Sequence, residues 1–562
     1  RAVYAEITEE VLVKWGREYD DRLFSGGMSF SDGGRVVENK MLNAVVDQGG
    51  FVAAFTGISI TAGHDCLYEQ SYPVLLNATM SRLMAATGVR FEAINVAIGN
   101  SRIAPYSYCV DAYAGVDADI ISWEMGMEIP DLKCGPAVEA VELFVRSASV
   151  LPRRPAVLLM DAEPDQNFCD NGRLPSLVKR TQGFVGDCGG VARQKNLMSV
   201  YRHFGLHHMH PSTLVPTHTC GDDRFSREKM YGGAEKHFPR PMSWHPAPGG
   251  HALVADMLFM HYGKVFLNAL ERLEVLAPGA TATQLRKTET PSRIALGKSL
   301  GLGNAGKVPR GPMPEGGGSE SGGSPSGVVF MGGGRGDILP RAAWCGSWRF
   351  CMISGDFKCA NTNYPLAGKN GNTLVDMVSA RTPVANRDQG TFLTAPSKGR
   401  WALTLNEVKQ AILDYLEETP PKGMNLPIDK KWVLIGDQLS GPIEFEFETI
   451  GVPPVREGVG GMSGGGGGGG GSARNSVAKD SRITVCKPDF IDYVGLADAN
   501  GVVYRVDGVK TSVVRILGHS GLHPGSCALL AVEVGVGRHT LTVEPLKVGR
   551  PYVAISHVIY PA

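Results

Sequence analysis

Short apolar runs that alternate with amphipathic helical stretches are the feature that most constrains the fold of this chain. The strand-like runs cover residues 51–57, 91–98, 118–123 and 155–160, with a weaker fifth run near 212–216. The helical stretches cover residues 71–87, 135–149, about 174–204 and 249–274. Continuous apolar strands separated by helices are typical of a parallel sheet that is covered on both faces. We therefore predict an α/β domain with a doubly wound parallel sheet over residues 1–276.

The rest of the chain has a different character. Residues 277–327 are rich in Gly, Pro, Ser and Thr, which predicts a flexible linker. Residues 328–562 contain alternating segments that predict a β-rich, sandwich-like domain, among them 443–450, 502–506, 539–543 and 552–558. One helix is expected from about Leu405 to Glu418. The glycine run within 457–478 predicts a disordered insertion in this domain.

The charge and hydropathy of the chain limit its partners. Lys plus Arg equals Asp plus Glu at 56 each, so the charge gives no reason to expect binding to nucleic acid or to an anionic membrane surface. An apolar content of 43% is sufficient for buried cores. No run approaches the roughly 18 apolar residues needed to span a bilayer, so no transmembrane segment is expected in this chain.

The cysteines bear on the cellular compartment. The 11 cysteines include no CxxC pair, so they do not form a zinc-site pattern. We expect some disulfides and, because the count is odd, at least one free thiol. This favours a secreted, lumenal or cell-surface location, and buried reduced cysteines are the alternative. Since the chain starts at Arg1, we expect that an upstream signal could have been removed.

A serine follows the first apolar run directly. The segment Gly57-Ile58-Ser59-Ile60-Thr61-Ala62-Gly63 places Ser59 in a turn of small residues between a strand and a helix. Ligands of open α/β sheets bind at the carboxyl ends of the strands, so Ser59 is a candidate nucleophile. His245 precedes the last long helix of the domain and is the candidate base that takes the serine proton.

These segments resemble the sequence blocks of the SGNH (GDSL-type) hydrolases over roughly residues 45–270. The first block of that family reads Gly-Asp-Ser-Ile-Thr-x-Gly, and the serine block here matches it except that Ile58 replaces the acid, which puts Ser59 on the nucleophile. Gly99 stands where the family has a glycine after the second strand, and His245 matches the histidine of the last block. The resemblance implies a flavodoxin-like fold and the cleavage of esters, often acetyl groups on polysaccharides, with no cofactor and no metal.

The third block of the family, Gly-x-Asn-Asp, is not reproduced. Gly126 and Glu128 lie in its place, so the asparagine that donates to the oxyanion is missing. The resemblance then implies an oxyanion hole made of the N–H groups of Ser59 and Gly99, with Asn100 as a substitute third donor.

The carboxylate that orients the histidine in the family is also missing. The family has Asp-x-x-His, and Met242 stands here three residues before His245. Three replacements are open: Asp161 at the end of the fourth strand, which is the best placed, Asp65, or a backbone carbonyl near Ser243.

Each candidate also has a purely structural interpretation. Ser59 could cap the following helix, and the ring of His245 could simply bind a carbonyl at a helix N-terminus. Glu124 and Glu128 could be solvated loop charges.

Other residues of the chain point to chemistry less directly. The clustered histidines lack the spacing of a helix-borne metal pair, so we interpret them as loop and core residues; they are His203, His207, His208, His210 and His218. Three tryptophans of the second half could stack on a sugar or could belong to the core, namely Trp344, Trp348 and Trp401.

The resulting hypothesis is a serine esterase that removes O-acyl groups, acetyl in particular, from a glycan or another small ester through an acyl-Ser59 intermediate. Gly57, Asp65, Gly126 and Glu128 are expected to line its cleft. Two alternatives stay open. One is a catalytically silent carbohydrate-binding or cell-surface protein on the same fold, with ligand contact shared by the C-terminal domain. The other is a sugar O-acyltransferase that uses the same serine.

Overall fold

The structure is a computed structural model. It describes residues 1–30, 34–47, 49–64, 66–98, 106–107, 109–124, 144–149, 151–160, 204–209, 211–230, 245–275, 357–361, 377–379, 384–385, 401–405, 432–449, 482–486, 501–517, 527–546 and 553–561.

The first half contains alternating helices and strands. The helices are α1 (Ala2–Trp15), α2 (Arg35–Val46), α3 (Ser59–Ala62), α4 (Tyr72–Ala85), α5 (Val110–Ala114), α6 (Pro211–Thr219), α7 (Arg227–Met230) and α8 (Pro248–Val275). The strands are β1 (Met28–Phe30), β2 (Gly50–Gly57), β3 (Arg90–Asn95), β4 (Ile120–Glu124), β5 (Ala156–Met160) and β6 (His207–Met209). Residues 144–149 are also helical.

These strands form one six-stranded sheet in the order β1-β6-β5-β4-β2-β3. Strands β2 to β6 pair in parallel, and only the short edge strand β1 runs antiparallel, against β6. The parallel strands have the flavodoxin-like order, in which β2 lies between β3 and β4. At β2 the order in which successive strands are added to the sheet reverses, and ligands of such sheets bind at this switch point, beside the carboxyl ends of the strands. The predicted doubly wound α/β fold is confirmed.

Both faces of the sheet are buried, as a parallel sheet requires. Successive strand residues point to opposite faces. Phe51 and Phe55 of β2 pack in a core cluster with residues of α1, α2, α4 and α8. Ala54 of the same strand and Trp123 of β4 pack in a second cluster with α5. The sheet therefore holds the ends of β2 and β4 rigidly between two apolar layers.

The fifth strand predicted near 212–216 is wrong. That segment belongs to α6, which begins at Pro211, and the fifth parallel strand is β6, directly before it. Proline is favoured in the first turn of a helix because its missing N–H has no partner there. The β-branched residues of this segment favour a strand, but tertiary contacts override that local preference and the segment is helical. Of the other predicted helices, 71–87 and 249–274 are confirmed by α4 and α8, and 135–149 is helical in its described part.

In the described residues of the second half, the strands form three sheets. The strands are β7 (Phe357–Asn361), β8 (Val384–Ala385), β9 (Trp401–Leu405), β10 (Trp432–Gly436), β11 (Ile443–Thr449), β12 (Arg482–Cys486), β13 (Val502–Val506), β14 (Val509–Thr511), β15 (Val513–Leu517), β16 (Cys527–Glu533), β17 (Gly537–Pro545), β18 (Val553–Ile555) and β19 (His557–Pro561). The sheet orders are β18-β10-β9-β8, β11-β17-β13-β14 and β15-β16-β12-β19-β7. All neighbours pair antiparallel except β8 and β9.

The alternating pattern in the sequence correctly predicted several of these strands. In β11, Ile443, Phe445 and Phe447 are buried, whereas Glu446 and Glu448 are exposed. Segments 443–450, 502–506 and 539–543 are confirmed as strands, and 552–558 is divided between β18 and β19. The predicted helix from Leu405 lies outside the described residues except for Leu405 itself, which ends β9. The linker, the glycine run, Trp344 and Trp348 also lie outside them, so the domain limits stay a prediction.

A disulfide and a hydrogen bond join the two halves. Cys109, which precedes α5, is bonded to Cys359 in β7. The hydroxyl of Tyr113 in α5 hydrogen-bonds Nε2 of His557 in β19. Cys359 and Ile559 belong to the same apolar cluster as α5. The five-stranded sheet of the second half therefore packs against the α5 side of the first.

The remaining described cysteines fit the sequence expectation. Cys486 and Cys527 form a disulfide between the paired strands β12 and β16. Cys220 is also disulfide-bonded, whereas the buried thiol of Cys66 is reduced. Among the described helices, none has both the length and the apolar content that crossing a membrane requires.

Candidate active site

Ser59 lies at the switch point of the sheet, in the turn after β2. Strand β2 ends at Gly57, and α3 begins with Ser59 itself, so the residue at the N-cap position is Ile58. A Cβ atom on Gly57 would lie 2.3 Å from Oγ1 of Thr61, so only glycine allows the chain to turn this tightly. Gly63 ends α3 in the left-handed conformation, with a φ of 86°. The interpretation of Ser59 as a helix cap is therefore wrong.

The imidazole of His245 reaches Ser59 from the other end of the domain. Nε2 of His245 lies 2.7 Å from Oγ of Ser59, although 186 positions separate the two residues. Both side chains are buried, with 7% of Ser59 and 2% of His245 exposed. The segment that carries His245 is fixed just before α8, since the N–H of Ala247 donates to the carbonyl of Met230 in α7. The structure thus brings together the two residues for which the sequence predicted a nucleophile and a base.

A second imidazole, which the sequence analysis did not identify, stacks on the first. The ring centroids of His64 and His245 are 4.2 Å apart, with an angle of 26° between the ring planes. The backbone N–H of His64 donates to the carbonyl of Ser59 at 2.9 Å. The only signal in the sequence is the position of His64 directly after Gly63, which closes the first block.

The carboxylate of Glu124 lies under the turn that carries Ser59. Glu124 ends β4 and is 1% exposed. Its Oε2 accepts hydrogen bonds from the N–H of Ile58 at 3.4 Å, from the N–H of Thr61 at 3.3 Å and from the hydroxyl of Thr61 at 2.9 Å. The backbone carbonyl of Glu124 also accepts from the N–H of Ile58 at 3.1 Å. The interpretation of Glu124 as a solvated loop charge is therefore wrong.

Further buried polar groups extend this network away from Ser59. The hydroxyl of Thr61 donates to Glu124 and lies 2.8 Å from the hydroxyl of Tyr72, so Tyr72 donates to Thr61. The pKa of Tyr72 is raised well above its ordinary value, mainly by complete burial and secondly by the negative charge of Glu124. Nδ2 of Asn95 donates to the carbonyl of Thr61 at 2.8 Å and to Oγ of Ser71 at 3.2 Å. These contacts fix the helix turn after Ser59 from three sides.

The other predicted site residues lie outside the described part of the chain. They are Asp65, Gly99, Asn100, Gly126, Glu128 and Asp161. The residues that precede two of them are described. The N–H of Ile98 donates to the carbonyl of Gly57 at 3.1 Å, and Met160 ends β5, the strand beside β4. Gly99 and Asp161 follow these two residues directly in the sequence.

The histidine-rich region contributes to the core. His207 is fully buried, and its ring nitrogens bond the carbonyl of Gly205 and the hydroxyl of Tyr262, each at 2.8 Å. Burial lowers the pKa of His207 to about 4. His208 is also buried, whereas His203 and His210 lie outside the described residues. Within the described ranges no group of three His, Cys, Asp or Glu side chains could hold a metal ion.

The arrangement at Ser59 can perform nucleophilic chemistry. An imidazole whose Nε2 accepts the serine proton makes the hydroxyl oxygen a stronger nucleophile, provided that the ring carries its own proton on Nδ1.

Comparisons with known proteins give likenesses of fold. Neither a protein-family model nor a curated protein sequence matches the chain. A two-domain esterase (CEX) described as active on acetylated mannans aligns with 96% of this chain and 98% of its own, at 13% sequence identity and a TM-score of 0.41. Its structure with mannopentaose aligns with 96% of this chain and 99% of its own, at 13% identity and a TM-score of 0.39. The family 3 carbohydrate esterase of Clostridium thermocellum covers 39% of this chain and 98% of its own, at 11% identity and a TM-score of 0.28.

With identities of 13% or less and TM-scores of 0.41 or less, these alignments do not assign the chain to a family, and its chemistry is argued from the geometry of the site itself.

Proposed function

We propose that residues 1–276 form a serine esterase domain in which Ser59 is the nucleophile and His245 is the general base and acid. The observation that supports this most directly is the 2.7 Å contact between Oγ of Ser59 and Nε2 of His245. The contact joins two buried side chains at the switch point of the sheet, where ligands of this fold class bind.

The reaction proceeds through an acyl-enzyme. Oγ of Ser59 bonds to the carbonyl carbon of the ester while its proton passes to Nε2 of His245. The tetrahedral intermediate then breaks the carbon–oxygen bond to the alcohol, which leaves with the proton from Nε2. A water molecule gives a proton to Nε2 and attacks the acyl carbon. The bond to Oγ breaks, the acid is released and Ser59 regains its proton.

The developing oxyanion is stabilised by main-chain donors. Ser59 and Gly99 supply N–H groups, and Asn100 supplies a side-chain donor in place of the missing asparagine. Each such donor increases the rate by a factor of roughly 10²–10³. Asp161, which follows β5, is the carboxylate that orients His245 on its other ring nitrogen.

The substrate class is an O-acyl ester on a glycan, with acetyl as the acyl group. This choice rests on the resemblance of the sequence blocks to the SGNH hydrolases. The disulfides of the described residues support a secreted or lumenal enzyme, because such bonds persist in oxidising compartments.

Labelling with a fluorophosphonate probe tests the assignment of Ser59 and His245. We expect the unmodified protein to be labelled, and the Ser59→Ala and His245→Ala variants to lose at least about a thousand-fold in labelling rate. Ser25→Ala removes an exposed serine after α1 and is the matched control that should label normally.

The same preparation distinguishes the alternative functions. Release of acetate from acetylated mannan supports the esterase, and transfer of acetyl to an added oligosaccharide supports an acyltransferase. A protein that binds glycans but is neither labelled nor active would contradict the proposal and support the silent binding protein.

A further inference from the structure

The ring of His64 lies against the ring of His245 in a parallel stack. The centroids are 4.2 Å apart and the planes differ by 26°, so the two imidazoles are in face-to-face contact. His245 thus contacts Ser59 through Nε2 and His64 through the face of its ring.

The position of His64 is fixed relative to the nucleophile. Its backbone N–H donates to the carbonyl of Ser59 at 2.9 Å, and it follows Gly63, whose left-handed conformation ends α3. Beyond it, both the N–H and the thiol of Cys66 donate to the carbonyl of Gly63, at 3.2 and 3.1 Å. One short segment, residues 59–64, therefore carries the nucleophile and also the ring that packs on the base.

A hydrogen bond to Ser59 alone does not determine the orientation of the imidazole. Even with Nδ1 bound to the carboxylate proposed at Asp161, the ring of His245 could rotate about the line through its two nitrogens, which would tilt the ring plane away from Oγ. A second ring in parallel contact opposes this rotation.

We propose that His64 is a positioning residue of the Ser59–His245 pair and that its flat ring, rather than its ability to titrate, keeps the imidazole of His245 in line with Oγ. This inference rests on the proposed function, because it assumes that His245 acts as the base for Ser59. It assigns to the first sequence block a second role in addition to the nucleophile.

The test compares a flat ring with a branched aliphatic side chain at position 64. His64→Phe keeps an aromatic ring without ionisable nitrogens, and His64→Leu removes the ring. We expect His64→Leu to lower the fluorophosphonate labelling rate and kcat for p-nitrophenyl acetate by roughly 10–100-fold, since small misplacements of catalytic groups have effects of this size. KM should stay within about twofold, and His64→Phe should retain activity within about threefold of the unmodified protein.

Thermal unfolding of each variant separates a local effect from loss of the fold. If His64→Leu does not fold, His64→Gln provides the same comparison with a polar side chain. Equal activity of His64→Leu and the unmodified protein would overturn the inference, as would an equal loss in His64→Phe and His64→Leu.

The Ser59→Ala and His245→Ala variants distinguish failure of this inference from failure of the proposed function. If labelling persists in either of them, the proposed function fails and this inference fails with it. If labelling requires Ser59 and His245 but is the same in all variants of His64, only the inference about His64 fails.

Discussion

The carboxylate of Glu124 accepts hydrogen bonds from both the N–H and the hydroxyl of Thr61, at 3.3 and 2.9 Å. Glu124 ends β4, and Thr61 lies in the helix turn that follows the neighbouring strand β2. The first N–H groups of a helix have no partner within the helix and favour a negative charge nearby. Glu124 thus supplies, from an adjacent strand, a carboxylate to the turn in which Ile58 replaces the acid of the family block.

Replacing Glu124 is expected to destabilise the turn that carries Ser59. Glu124→Gln keeps the shape and an acceptor oxygen, so we expect a loss of about 1 kcal/mol in unfolding free energy. Glu124→Leu leaves buried donors without an acceptor and should cost about 3 kcal/mol or more, with a decrease in labelling of Ser59. Urea unfolding and probe labelling measure the two effects.

Glu446→Gln is the control for Glu124, because it neutralises a glutamate on the exposed face of β11. Its unfolding free energy should match that of the unmodified protein. If Glu124→Leu were as stable as this control, the role given to the carboxylate would be wrong.

Gly57→Ala is expected to impair the site through sterics alone. The added Cβ would lie 2.3 Å from Oγ1 and 2.6 Å from Cβ of Thr61, so the turn must shift and Ser59 with it. We expect a loss of roughly 1–3 kcal/mol in stability and a clear decrease in labelling rate. At Gly535 a Cβ meets nothing within 4 Å, so Gly535→Ala is the matched control and should have no effect on labelling. Normal labelling of Gly57→Ala would contradict the geometry.

The disulfide between Cys109 and Cys359 is expected to stabilise the chain more than the one between Cys486 and Cys527. The sequence separations are 250 and 41 residues, and in the chain-entropy account a longer closed loop gives the larger stabilisation, with about 2–5 kcal/mol as the usual range. We expect a larger fall in melting temperature for the double alanine variant of the first pair than of the second. Equal or reversed effects would show that the loop length does not govern the difference.

Stability should fall in mild acid because of buried histidines. Burial lowers the pKa of His207 from 6.5 to about 4, so the folded protein favours the neutral ring. The resulting stabilisation is complete above pH 6.5 and is lost as the pH falls from 6.5 toward 4, by about 3 kcal/mol in total. His261 contributes to the loss of stability in acid in the same way, because burial lowers its pKa to about 4.

His207→Gln should reduce the dependence of stability on pH. We expect the variant to be less stable at pH 7.5, because Gly205 and Tyr262 lose their imidazole partner, yet to lose less stability between pH 7.5 and pH 4.5. Urea unfolding at both pH values measures this difference. If the variant and the unmodified protein lost the same stability between pH 7.5 and pH 4.5, His207 would be ruled out as the source of that loss.

The parts of the fold that the sequence predicted are those in which local pattern and tertiary burial agree. Strand β5 is an uninterrupted apolar run, β2 and β4 are largely apolar, and β11 alternates strictly, so each could be identified from its residues alone. Strand β6 consists of His207, His208 and Met209, and its polar rings are buried only because distant groups such as Tyr262 satisfy them. No local pattern contains that information.

The same division applies to the candidate site. Ser59 and His245 were identified because each lies in a block with a recognisable order and spacing. The role of His64 depends on a ring from the far end of the domain, and that of Glu124 on the turn of a neighbouring strand. A glutamate at the end of a strand is ordinarily solvated, so only the structure distinguishes this one.

The central claim, an acyl-enzyme on Ser59, is tested most directly by trapping that intermediate. The protein is mixed with p-nitrophenyl acetate, quenched in acid within the first turnover and analysed by mass spectrometry of its peptides. We predict one acetyl group on the peptide that contains Ser59, reduced acetylation in His245→Ala and none in Ser59→Ala. Acetylation of a different residue, or undiminished ester hydrolysis by Ser59→Ala, would contradict the account.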